Sequence, residues 1–188
     1  MESTNGAARD AAREGSRDVA IPATGLIALR RQLEREAGSL AAIHALHAAG
    51  FSAGEALWES LRKGRAGELS ELDQESFWER ITSLLGRRGW GRLVHDAVHP
   101  GVGLLASADW AESIGTRDED QPSCTFSTGM LSGLLTGAAG GPIAVLEVSC
   151  RAQGDERCAF AFGSAATVHD LYGLLLDGRA LPSALAAL

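Results

Sequence analysis

Three cysteines and a glutamate, Cys124, Glu147, Cys150 and Cys158, carry the most distinctive chemistry in this sequence. Cys150 and Cys158 flank a turn signal, Gln153-Gly154-Asp155. A turn centred on Gly154 sets the two cysteines opposite each other on antiparallel strands, where paired Cβ atoms lie about 4.5–5.5 Å apart. That separation suits two thiolates sharing a tetrahedral zinc, with Zn–S near ~2.3 Å. Glu147 precedes Cys150 by three residues, so strand alternation puts the two on opposite faces. A bulge or a strand end between them is needed for both to meet one metal. Cys124 opens a predicted helix, where N-terminal N–H groups favour a thiolate. Three thiolates and a carboxylate fill a tetrahedron and leave no position for water, which makes such a site structural. Their combined negative charge exceeds that of Zn2+, and Arg151 and Arg157 are the nearby cations that could offset it. The spacing also admits a Cys150–Cys158 disulfide or three buried free thiols, because no CxxC pair is present.

Other candidate chemistry is weaker. His44 and His47 sit three apart, and His95 and His99 four apart, with no third ligand nearby in sequence; these read as ordinary surface or core histidines. Asp73, Glu75 and Glu79 form an acidic, solvated helix face. The stretch from Gly137 to Gly141 lacks the lysine and spacing of a phosphate loop, and there is no dinucleotide fingerprint. No catalytic residue is assigned, and the chain reads as a non-enzyme. Trp58, Trp78, Trp90 and Trp110 are candidates for core or for the wall of an apolar pocket.

The elements that must position these residues follow from the pattern. Residues 1–20 read as a flexible tail. Leu26, Leu29, Leu33 and Leu40 recur at helical spacing, with a break at Gly38. A second helix spans Leu40 to Arg62. Gly50 and Gly54 inside it mark either a close approach by another helix or ligand, or a break into two shorter helices. A loop covers Lys63 to Leu69. A third helix is capped by Asp73 or Ser76, carries Phe77, Trp78, Ile81, Leu84 and Leu85 as its apolar stripe, and ends at Gly86 and Gly89.

Trp90–Val98, the turn His99-Pro100-Gly101 and Val102–Trp110 then read as a hairpin. A loop runs from Glu112 to Pro122, a helix from Thr125 to Thr136, a strand from Ile143 to Ala152 and a returning strand from Cys158 to Phe162. A helix over Val168–Leu176 and a further turn after Pro182 close the chain. The order predicts an α+β fold, an antiparallel sheet of two hairpins packed with helices, in one domain over 21–188.

The chain has 188 residues and a formal net charge of −7. Such a surface repels phosphate backbones, so no nucleic-acid partner is expected. Met1 to Ala20 has no apolar signal-peptide core, and no apolar run reaches the ~20 residues of a membrane span. A cytoplasmic address is expected, where thiols stay reduced.

The segment from Cys124 to Phe162 reads C-T-F-S-T-G-M-L-S-G-L-L-T-G, then V-L-E-V-S-C-R-A-Q-G-D-E-R-C-A-F-A-F. It resembles the 4-vinyl reductase (hydrocarbon-binding) domain family, which includes the sensor domains of phenol- and xylene-responsive activators and is related to the TRAPP core subunits. The stretch E-x-x-C-x-x-x-G-x-x-x-C, here Glu147, Cys150, Gly154 and Cys158, carries the resemblance most specifically. It implies a NO-signalling/Golgi-transport ligand-binding-like fold and zinc held by Cys124, Glu147, Cys150 and Cys158. It further implies a small apolar, aromatic or lipid-like ligand between helices and sheet, in a pocket that Trp78 and Trp90 would border. A homodimer and output through a protein partner follow from the same resemblance. A trafficking-type scaffold and a non-catalytic accessory factor in tetrapyrrole metabolism are the other roles it admits.

Overall fold

The computed structural model describes residues 18–64, 72–114 and 122–188. Most of the tail expected at 1–20, and of the loops expected at 63–69 and 112–122, lies outside them. Six α-helices and four strands are seen among the described residues: α1 (Ala23–Ala37), α2 (Ser39–Gly64), α3 (Gln74–Arg87), β1 (Val94–His99), β2 (Val102–Ser107), α4 (Thr125–Ala139), β3 (Ala144–Ser149), β4 (Cys158–Gly163), α5 (Ala165–Leu176) and α6 (Leu181–Leu185). The sheet is antiparallel, in the order β1-β2-β4-β3. The fold is the expected α+β arrangement of two hairpins packed with helices. None of the described helices is long and apolar enough to cross a membrane.

Local chemistry sets the ends of the elements. Gly38, at φ 84°, separates α1 from α2 in a conformation that side chains rarely adopt. Asp73 caps α3 by accepting from the Ser76 N–H at 2.8 Å. The first hairpin is shorter than its β-compatible run. Asp109 Oδ1 accepts from Arg92 N at 2.8 Å and from Ser107 Oγ at 2.9 Å, which ties the open ends together and stops the ladder there. Trp90 lies before β1 and packs inward. The second hairpin is shorter as well: β3 ends at Ser149, and Arg151–Gln153 forms a 3-10 turn.

Two apolar cores flank the sheet. The larger joins α2, α3 and α4 to the face bearing Leu105 and Phe160. The smaller lies on the opposite face, where Leu104, Ala106, Ala159 and Ala161 meet Leu171, Ala184 and Leu185. Helix α2 is continuous through Gly50 and Gly54, and the reason is steric. A Cβ at either glycine would strike the carbonyl oxygen of Phe126 or Met130 on α4. Gly129 and Gly133 of α4 face the carbonyls of His47 and Phe51 in the same way. Backbones this close exchange Cα–H···O contacts. These glycines serve helix packing, so Gly54 does not line a cavity.

Candidate metal centre

Helix α4 and the second hairpin bring the four predicted ligands together. Cys124 is the N-cap residue of α4, Glu147 lies in β3, Cys150 follows its end, and Cys158 begins β4. The sulfurs and a carboxylate oxygen all lie within 4.8 Å of one another. All three cysteines are fully buried and Glu147 is 9 % exposed. The β3–β4 register shifts between Glu147 and Ser149, which supplies the bulge that a shared site requires. Ser149 pairs with Ala159, so Cys150 and Cys158 are the next residues along the two chains. Gly154, at φ 98°, closes the turn between them in the left-handed region.

The cysteines are free thiols. The Cys124 and Cys158 sulfurs stand 3.7 Å apart, far beyond the ~2.05 Å of a disulfide. Two thiolates on a tetrahedral zinc with Zn–S near ~2.3 Å have sulfurs about 3.8 Å apart. Glu147 Oε2 accepts from Cys124 N at 2.9 Å, while its Oε1 is buried without a partner. A buried, unpaired carboxylate oxygen is costly, and a cation among the sulfurs removes that cost. The donor set therefore fits a metal ion that prefers sulfur with one oxygen, in closed tetrahedral geometry.

The electrostatics agree with a site built for a cation. Burial, reinforced by the charge of Cys150, pushes the Glu147 carboxyl up to about 8. Cys158 is driven down to about 3, first by its hydrogen bond with Cys124 and then by that with Cys150. Cys124 is raised, because it donates within the same group and is buried.

Several residues that support the cluster were not foreseen. Ser123 offers Cys150 Sγ its N–H at 3.5 Å and its hydroxyl at 3.6 Å. Asp155 Oδ2 accepts from Cys150 N at 2.7 Å and from Ser149 Oγ at 3.0 Å. Glu112 is the largest surprise. It is 4 % exposed and sits in the 3-10 turn Ala111–Ser113. It accepts from Phe126 N at 3.0 Å, from Ser127 N at 2.8 Å and from Ser127 Oγ. The first-turn N–H groups of α4 are thus spent on Glu112 and not on a Cys124 thiolate. The expected offset by Arg151 and Arg157 is absent too. Arg157 is exposed, and Arg151 reaches Cys158 through its backbone. The spacing of Glu112, twelve residues before Cys124, follows no motif.

The two predicted pocket tryptophans occupy different surroundings. Trp90 is stacked on Phe126 and on Trp110, in each case at 5.7 Å between ring centroids. Trp78 packs on His95 at 4.0 Å and on Phe162 at 5.4 Å. Among the described residues no ring contact joins Trp78 to Trp90, although both border the larger core. The histidine pairs gather no metal-binding group among the described residues.

The comparisons with known proteins meet this geometry at the same segment. Residues 108–164 match the vinyl-4-reductase domain. The matched stretch takes in Glu112, all four cluster residues and both strands of the second hairpin. The whole fold is similar to the phenol-responsive sensory domain of the transcription activator PoxR, crystallised with phenol. That similarity has a TM-score of 0.66 and 21% identity, over 79% of this chain and 77% of that one. It is also similar to a vinyl-4-reductase family protein from Methanocaldococcus jannaschii, with a TM-score of 0.50 and 20% identity, over 86% of this chain and 95% of that one. No curated protein matches the chain.

Proposed function

We propose that this chain is a non-enzymatic binding module for a small apolar or aromatic molecule, braced by one structural zinc and acting through a protein partner. The observation that carries the reading is the buried Cys3Glu cluster inside a fold like that of a phenol-sensing domain. Cys124, Glu147, Cys150 and Cys158 would hold the zinc, which when bound supplies a cross-link and no reaction chemistry. The four side chains join the start of α4 to both arms of the second hairpin, and so fix the floor of the ligand space.

That space is assigned to the aromatic junction bordered by Trp78 and Trp90, where α3, α4 and the first hairpin meet. Phe77, Phe126 and Phe162 are partly buried there. Such a lining suits an aromatic or hydrocarbon guest with few polar groups. Tyr172 is 46% exposed on α5, so a phenol hydroxyl would be met by a histidine or a tryptophan N–H. Leu29, Leu40 and Ile43 leave an exposed apolar face on α1 and α2, which supports pairing as a homodimer. Three reduced thiols support a cytoplasmic address.

The test is a thermal-shift and tryptophan-fluorescence screen of phenols, alkylbenzenes, fatty acids and tetrapyrrole fragments. A binder raises the melting temperature by mass action and quenches tryptophan emission. No shift with any of these classes would overturn the ligand reading. Sedimentation as a strict monomer at micromolar concentration would overturn the dimer.

A further inference from the structure

The far side of Trp78 faces a second feature. Helix α3 and strand β1 enclose an open groove of about 470 Å3. Glu75, Trp78, Glu79 and Thr82 form its helical wall, and Val94 and His95 form its strand wall. Strand β1 is an outer strand of the sheet and, among the described residues, pairs only with β2. Among the described residues no backbone hydrogen bond outside that ladder reaches Val94–His99. Val94 is 59% exposed and Val98 37%. Natural edge strands are usually blunted by charge, bulge or cover. Here the bulge comes only at the Ala97/His99 end, and the stretch from Val94 to Ala97 keeps a regular register.

We propose that this groove is a docking site for an extended, basic segment of a protein partner, which adds to β1 as a fifth strand beneath α3. A helix lying beside an open sheet edge is the geometry of strand addition. Main-chain hydrogen bonds to the edge supply affinity, and pockets for alternate side chains supply selectivity. Side chains of the segment that share the face of His95 enter the groove against Trp78, and an apolar or long aliphatic stem fits there. The rim is acidic, because Glu75 and Glu79 are exposed one helical turn apart, so lysine or arginine heads on the segment are favoured. His95 adds no competing charge near neutral pH, since burial lowers its pKa from the usual 6.5. A second copy of this chain is disfavoured as the occupant, because it would bring its own acidic rim to a surface that is acidic already.

This inference rests on the proposed function only in needing an output through a partner, and Trp78 links the two. Its ring meets Phe162 in the core and His95 in the groove.

The experiment uses the full chain and three synthetic ten-residue peptides. One alternates lysine with valine, one alternates glutamate with valine, and one alternates lysine with proline and so lacks half of its N–H donors. Binding is read by fluorescence anisotropy, and the site by hydrogen exchange of backbone amides. The expected result is binding of the lysine–valine peptide alone, with new protection across Val94–Ala97. A Glu75→Gln/Glu79→Gln double variant, changed only at exposed positions, should weaken that binding at least about threefold. Binding of the other peptides equal to that of the first would overturn the proposal. Protection away from β1 would do the same, as would β1 amides already protected in a peptide-free dimer. If an apolar ligand still raises the melting temperature while no peptide binds, the docking site fails and the sensor reading stands.

Discussion

The two hairpins of this protein share a strand length and an antiparallel register but meet opposite surroundings. In the first, β1 lies at the sheet edge with Val94 59% exposed. In the second, the hairpin end carries Cys150 and Cys158, both fully buried. The first keeps its backbone edge and offers a groove. The second gives up regular pairing at Glu147/Ser149 and gathers four metal-seeking side chains in return. A bulge that breaks a ladder in the interior re-aims side chains toward one point, whereas an unbroken edge leaves main-chain groups for another strand. The same supersecondary unit therefore supports an internal cross-link in one copy and recognition in the other.

Substitution separates the two hairpins most sharply. Cys150→Ala or Cys158→Ala should abolish metal binding and cost several kcal/mol, because the binding free energy of a structural metal is folding free energy. The check is metal content together with the melting temperature. Melting curves unchanged in both variants would mean that the second hairpin is no more cross-linked than the first. Next in size is Gly54→Leu on α2, which drives a side chain into the Met130 carbonyl on α4. Helix α4 carries Cys124, so the cost of about 3 kcal/mol should appear in urea denaturation. A neutral outcome would show that the helix pair can part without disturbing the hairpin it covers.

Glu147→Gln should weaken metal retention against a chelator less than loss of either thiolate, since three sulfurs remain. Equal weakening would make the carboxylate the dominant ligand. Glu112 gives a pH-dependent test on the same side of the molecule. Burial raises it to about 7 from an ordinary 4.5. With its folded pKa above the unfolded one, its contribution to stability is fully present below about pH 4.5 and is lost as pH rises through about 7. A Glu112→Gln chain should therefore lose less stability than the parent as pH is raised across that window. Parallel melting-temperature profiles would contradict the assignment. The smallest effect is expected on the open hairpin's side, where Glu75→Gln/Glu79→Gln should change stability by no more than about 0.5 kcal/mol.

The contrast between hairpins also marks how far the sequence could be read. The four-residue cluster was legible because its geometry is local. Cys150, Gly154 and Cys158 belong to one turn, and the need for a bulge beside Glu147 follows from strand alternation alone. The cap at Asp73, the break at Gly38 and the α+β order were legible for the same reason. Gly50 and Gly54 left two readings open, and only the position of α4 decides between them. Glu112 was invisible, since its partners Phe126 and Ser127 are brought to it by tertiary folding and no periodicity marks it. Trp78 and Trp90 were grouped by type and proximity in sequence. The structure places them in separate ring clusters because the chain turns inward between α3 and β1.

The central claim is that Cys124, Glu147, Cys150 and Cys158 form a closed zinc site, and native mass spectrometry of protein purified without added metal tests it most directly. The expected spectrum shows one zinc per chain, which is lost on acidification as the thiolates take up protons. A folded chain of apoprotein mass, or one lighter by the two hydrogens of a Cys150–Cys158 disulfide, would contradict it.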